Sequence, residues 1–346
     1  MPFEYQLKKL IKTSGPIDIA TFMKLVVAYY YRNQNSIGKL GDFTTAPEIS
    51  QLFSEMLFVW VYNSWESLGK PARFNLVELG GGKGTLLHGI MQNLRKFPDI
   101  AEALFEIHIV EISEILKESQ LQLLTQFNKA IIYHHNFSEL AGGLPIILIA
   151  NEFFDALPIH QYFKDRYNWC ENVIDLTPEK EVFYFSKKLS DNGWLEFEFP
   201  DAEYNDLIEY SPESIKITQE IAEYIKQNKG AGIIIDYGYN ARPKFSTLQA
   251  VKAHKYHPIL EEVGSADITA HVDFTSLKNV IENRGVECSD IISQRDFLHN
   301  HSIEIRVNLL LEKATAKHKA QIVSEYLRLT SLEQMGGLFK VLMFQS

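Results

Sequence analysis

Cysteine is scarce. Cys170 and Cys288 are the only two in 346 residues, and they form neither a CxxC pair nor a zinc-ligand pattern. That excludes a disulfide scaffold and fits two reduced thiols in a cytosolic setting. No stretch reaches the roughly 18 consecutive apolar residues of a membrane span. Met1 to Ser14 lacks the hydrophobic run ending in small residues that marks a signal peptide. Lys8, Lys9 and Lys12 lie there without the arginine-rich, acid-poor character of a transit peptide. The expectation is a cytoplasmic protein if the source is bacterial, or a matrix protein if it is mitochondrial. Positive charge is also short. Against 44 Asp and Glu stand 34 Lys and Arg, a formal net charge of −10. Such a chain is a poor candidate for binding a nucleic-acid backbone, because that affinity depends on lysine and arginine. Internal repeats and low-complexity tracts are absent.

What is present is ordinary globular composition, 46% hydrophobic, 23% charged and 12% aromatic. The length indicates two domains, or one large domain with an insertion. From Pro2 to about Trp65 the pattern is helical, with Asp18 as an N-cap before apolar residues at three- and four-residue spacing. A polar loop spans Asn33 to Pro47, and a second helix is predicted from Glu48 to Trp65. At Phe74 the pattern changes to short apolar runs alternating with helices. The runs are Phe74–Leu79, Ile107–Glu111, Ile131–His134 and Pro145–Glu152, with a return at Gly232–Gly238 and a last strand at Leu338–Phe344. Near-continuous apolar strands separated by helices indicate a parallel sheet covered on both faces. Between Asp155 and Pro200 the alternating stretches Gln161–Lys164, Glu181–Ser186 and Trp194–Phe199 predict antiparallel strands. Helices are predicted at Ser214–Asn228 and Phe274–Arg284. The whole reads as α/β: a Rossmann-type doubly wound core with a helical N-terminal cap and an inserted β-rich element.

In an open parallel sheet, ligands bind beyond the carboxyl ends of the strands, where Gly80-Gly-Gly-Lys-Gly84 lies. The turn is not a Walker A loop, since Val77 stands where its first glycine belongs and Gly84 follows the lysine. It is not the dinucleotide fingerprint either, whose last glycine is replaced by Thr85. What remains is Glu78-x-Gly80-x-Gly82-x-Gly84, with a second acid, Glu111, closing the next strand. That pattern matches Rossmann-type methyltransferases that use S-adenosyl-L-methionine. The ligand has no pyrophosphate to cradle, and a carboxylate at the second strand can accept its ribose hydroxyls.

Three longer stretches carry a resemblance: Gly41–Gln51 (GDFTTAPEISQ), Val77–Leu86 (VELGGGKGTL) and Ala150–Pro158 (ANEFFDALP). With Ile235–Gly238 and His271–Phe274, they make the chain similar to the MidA family of S-adenosyl-L-methionine-dependent methyltransferases. The mitochondrial branch of that family comprises the complex I assembly arginine methyltransferases. One departure is Gly81-Gly82-Lys83 where the family commonly has Pro-Gly-Arg. Lysine keeps the charge and loses the planar fork.

The resemblance implies methyl transfer to an arginine of a protein, such as a respiratory complex I subunit. The cofactor would lie on Glu78, Gly80, Gly82, Gly84, Thr85, Glu111 and Asn151. Thr44 and Thr45 would belong to a loop folded over it. Glu152 and Asp155 form a candidate carboxylate pair for a guanidinium, which is a weak nucleophile that a carboxylate can orient and deprotonate. Asp236, ending the fifth strand, is a third catalytic candidate. No metal is expected, because no histidine stands at metal spacing from acidic or cysteine partners. The expected organisation is a cap over 1–73, a core over 74–154 and 231–346, and a partner region over 155–230. Three rivals stay open: methylation of a small molecule or another side chain, a non-catalytic assembly factor on the same fold, and a nicotinamide-dependent dehydrogenase.

Overall fold

The structure is a computed structural model that describes residues 2–33 and 46–346. Its described residues divide between two compact units. One gathers residues within Met1–Phe43 with Asp155–Ile215 and Ala241–His271, and the other takes Thr44–Phe154, Lys216–Asn240 and Val272–Ser346.

The larger unit is built on a mostly parallel sheet. Its strands are β1 (Phe74–Leu79), β2 (Leu104–Val110), β3 (Ala130–His134), β4 (Ile146–Asn151), β5 (Gly230–Tyr239), β6 (Val272–Asp273), β7 (Glu287–Cys288), β8 (Ile292–Ser293) and β9 (Phe339–Gln345). The order is β7-β9-β5-β4-β1-β2-β3, with β6 beside β5 and β8 beside β9. Pairings β3 through β5 are parallel, and β9 lies antiparallel to β5. Every residue of β1 and β4 is buried, as expected of mostly apolar strands covered on both faces. Truncating one such residue, Ile149, to alanine should cost about 2–5 kcal/mol.

Three helices position the candidate site: α1 (Gln51–Ser67), α2 (Thr85–Leu94) and α3 (Glu114–Leu124). α1 buries Leu52, Phe53, Met56, Leu57, Trp60, Val61 and Trp65, a three- and four-residue spacing that makes one apolar face. The predicted helix from Glu48 is split. Ser50 is extended, with φ −154°, and its hydroxyl accepts the Leu52 N–H at 3.2 Å, so a new helix starts there after the short Ala46–Ile49 turn. The helix at Pro212–Asn228 and α4 (Phe274–Asn283) agree with their sequence patterns within a few residues. Helices Gln294–Asn300, Ile303–Lys313 and Ala316–Thr330 had no counterpart in the sequence reading.

The smaller unit has helices Phe3–Ser14 and Ile19–Asn33 against a five-stranded antiparallel sheet, with a separate three-stranded sheet from Gln249 to Thr269. Leu7, Ile11, Phe22, Met23, Ile174 and Ile268 share its core. The strand expected at Trp194–Phe199 is a helix, Trp194–Glu198. The Phe199 N–H donates to the Leu195 carbonyl at 2.9 Å, a helical four-residue bond. This turns Leu195 and Phe199 into one apolar cluster with Tyr162 and Trp169, and leaves Phe197 exposed. An alternating apolar–polar run of this length fits either period, and local packing decides. Among the described residues, no helix is long and apolar enough to cross a membrane.

Candidate functional site

The glycine turn begins where β1 stops. The Gly80 N–H donates to the Val110 carbonyl at 3.0 Å, which extends the β1–β2 pairing by one residue. Gly80, Gly82 and Gly84 then take φ values of 67°, 50° and 85°, in the left-handed region where a side chain is strained. Close approach adds to this at two of them. A Cβ at Gly80 would stand 2.9 Å from the Phe153 ring, and one at Gly84 would stand 3.1 Å from Cα of Gln120. The turn therefore lies between the segment after β4 and helix α3. Thr85 is the first residue of α2, whose N-cap is Gly84.

Two acids face this turn. Glu78, in β1, is 2% exposed. Burial, and then the charge of Glu111, push its carboxyl up to about 8. Glu111 follows β2. Its Oε1 accepts the N–H groups of Ile112 at 2.9 Å and Ser113 at 2.8 Å, and its Oε2 accepts Nε2 of Gln120 at 3.3 Å. Burial raises the pKa of Glu111, and the Ser113, Ile112 and Gln120 hydrogen bonds oppose that rise.

Gln120 was missed in the sequence. It sits fully buried on α3, and Nε2 also donates to the Gly82 carbonyl at 2.7 Å. One amide thus ties the glycine turn to Glu111. Its only sequence signal is a polar residue on the buried face of an amphipathic helix.

Among the described residues, three buried oxygens of the site have no hydrogen-bond partner: Oε2 of Glu78, Oε1 of Gln120 and Oδ1 of Asn151. They lie at the carboxyl ends of β1 and β4 and on α3, beside one another in the sheet order. An unpaired buried polar atom costs about 1–3 kcal/mol, so a cluster of them needs an explanation. The cluster fits a ligand rich in donors. An amino acid ammonium, ribose hydroxyls and an adenine amino group are such donors, and they are the polar groups of S-adenosyl-L-methionine.

The acceptor side is built at the end of β4. Glu152 has φ 52°, unusual for a side-chain-bearing residue, and its N–H donates to the Ile235 carbonyl at 2.9 Å. Its Oε1 accepts the Ala46 N–H and Nδ2 of Asn151, each at 3.2 Å. Phe153 packs on Gly80, and Phe154 is buried with its ring perpendicular to that of Phe153. Asp236 is fully buried; Oδ2 accepts the Phe154 N–H and Oδ1 the Tyr237 N–H, each at 3.0 Å. It therefore holds the chain segment that carries Glu152. Asp155 is buried at 6% exposure and is the first residue of the smaller unit's second segment, where its carbonyl accepts the Ala270 N–H at 3.0 Å. Asp273 caps α4 through the Ser276 N–H at 3.1 Å. Burial raises the pKa of Glu48, and the charge of Lys83 opposes that rise. Thr44 and Thr45 lie outside the described residues.

The family described as "Putative S-adenosyl-L-methionine-dependent methyltransferase" matches residues 56–292. A Xenopus tropicalis protein named protein arginine methyltransferase NDUFAF7, mitochondrial, is 34% identical over 95% of this chain and 82% of its own length. Its Homo sapiens counterpart is 32% identical over 98% of this chain and 82% of its own length. A crystal structure of a COG1565 superfamily member and likely methyl transferase from Burkholderia thailandensis, bound to S-adenosyl-homocysteine, covers 99% of this chain and 92% of that one. Its TM-score is 0.87 at 23% identity, a likeness of fold.

Proposed function

This chain belongs to the S-adenosyl-L-methionine-dependent methyltransferase family, and we propose that its acceptor is an arginine side chain of a protein. The observation that carries the reading is the 34% identity, over 95% of this chain, to a relative named as a protein arginine methyltransferase. From the resemblance carried by the Gly41–Gln51, Val77–Leu86 and Ala150–Pro158 stretches, we further propose that the acceptor protein is a respiratory complex I subunit. Its landing region would be the β-rich Asp155–Ile215 segment.

The cofactor's place follows from the turn. Gly80, Gly82 and Gly84 let the backbone come close, Thr85 opens the following helix, and Glu78, Glu111 and Asn151 supply acceptors. When bound, S-adenosyl-L-methionine supplies an electrophilic methyl group on a sulfonium. The chain's own task is then alignment, and a near-attack geometry can account for about 7–11 kcal/mol of a barrier. Glu152 receives two guanidinium N–H bonds, draws the positive charge toward the nitrogens it holds, and takes the proton released on transfer. Asp155 is the second acid we assign to that task. Asp236 acts as a positioning residue, through the Phe154 amide it holds.

The test is incubation of the purified chain with tritium-labelled S-adenosyl-L-methionine and a protein extract of the source organism, followed by acid hydrolysis of the labelled proteins. Label in methylated arginine supports the reading. Label in another residue, or in small molecules alone, overturns the acceptor. Tight cofactor binding with no transfer to any fraction favours an assembly factor.

A further inference from the structure

The smaller unit brings together three residues that are far apart in sequence. Asp18, His160 and Glu171 each present one potential ligand atom, and the three atoms lie within 4.8 Å of one another. Strand pairing explains how. Trp169–Leu176 pairs antiparallel with His160–Lys164, where Tyr162 faces Glu171, and with Ile17–Asp18, where Asp18 faces Val173. Its other edge is taken by Phe183–Leu189. The two short strands therefore follow one another along a single edge of Trp169–Leu176. Residues two apart on a strand share a face, as do directly paired residues. Glu171 and Val173 share one face, Asp18 stands opposite Val173, and His160 lies two residues before the partner of Glu171. All three side chains project to the same face at the junction of three strands.

The surroundings favour a cation there. The His160 and Glu171 side chains are 26% and 17% exposed, and Nδ1 lies 2.7 Å from Oε1. Oδ1 of Asp18 accepts the Thr21 N–H at 2.6 Å, so the same carboxylate caps helix Ile19–Asn33. The Tyr162 ring stacks on the imidazole at 5.8 Å. Burial lowers the His160 pKa, but Glu171 and then Asp18 outweigh it, and the net shift is upward. One nitrogen and two oxygen donors make a ligand set for zinc or manganese.

We propose that Asp18, His160 and Glu171 form a divalent-metal site of the zinc class that ties helix Ile19–Asn33 to the sheet of the smaller unit. The site is independent of the methyltransferase reading.

The test uses the full chain after dialysis against a chelator, titrated with zinc chloride near pH 6.5 in two buffers of different ionisation enthalpy. The expected result is one saturable site and a rise in Tm when zinc is added. His160→Gln and Glu171→Gln should each weaken that site at least 100-fold. Asp18→Asn keeps a cap oxygen and serves where the other variants do not fold; it should weaken zinc binding at least tenfold. Absence of a saturable site in the wild type overturns the proposal, and so does unchanged binding in every folded variant.

Discussion

Asp236 accepts the backbone N–H of Phe154 at 3.0 Å, across 82 residues of sequence. Its other oxygen takes the Tyr237 N–H, so one buried carboxylate fixes both the end of β5 and the turn that carries Glu152. Replacing Asp236 with Ala strands two buried donors and should lower stability by about 2–4 kcal/mol. Asn restores one acceptor oxygen and should recover part of that. Urea unfolding midpoints for the two variants check the order. Equal midpoints for Ala and wild type would remove Asp236 from this role.

Gly84 combines φ 85° with a Cβ position 3.1 Å from the backbone of Gln120. Gly84→Ala should cost about 1–3 kcal/mol and push α3 away from the turn. Cofactor affinity should fall about tenfold or more, because Gln120 links the turn to Glu111. Gly193, with nothing within 4 Å of a Cβ and φ −59°, is the control; its alanine variant should be near neutral. Calorimetric Kd values for S-adenosyl-homocysteine distinguish the two.

Glu78 gives a pH signature. Its ordinary value is 4.5, and burial, then Glu111, raise it to about 8. Between those values the folded chain holds a proton that the unfolded chain has released. Stability from this group is therefore complete below about 4.5, falls as pH rises, and is lost above about 8. The slope should approach about 1.4 kcal/mol per pH unit within the window. Glu78→Gln is neutral at every pH and should flatten the curve. Thermal melts of the ligand-free chain from pH 5 to 9 should show the two proteins alike at the acid end and the variant more stable at the alkaline end. Parallel curves would show that Glu78 ionises normally.

The core of the fold was legible because its signals are local. Phe74–Leu79 and Ile146–Asn151 are mostly apolar and buried at every position, as a strand covered on both faces requires. Glu78 and the glycines announced the turn for the same reason: backbone strain selects glycine within a few residues. Gln120 was not legible, since its role rests on contacts to Gly82 and Glu111 made through packing of α3. Trp194–Phe199 misled because six largely alternating residues satisfy a strand, while packing against Tyr162 and Trp169 favours a helix over Trp194–Glu198. Asp18, His160 and Glu171 were equally hidden, as only strand register brings them together. Sequence spacing made no metal ligand visible there.

The most direct test of the account separates cofactor holding from acceptor chemistry in two variants. S-adenosyl-L-methionine binding by calorimetry and methyl incorporation into protein would be measured for wild type, Glu111→Ala and Glu152→Gln. The account predicts at least a tenfold loss of cofactor affinity in Glu111→Ala. For Glu152→Gln it predicts near-normal affinity with transfer slowed by about 100-fold or more, the scale of a lost general base. Wild-type transfer by Glu152→Gln, or undiminished binding by Glu111→Ala, would contradict it.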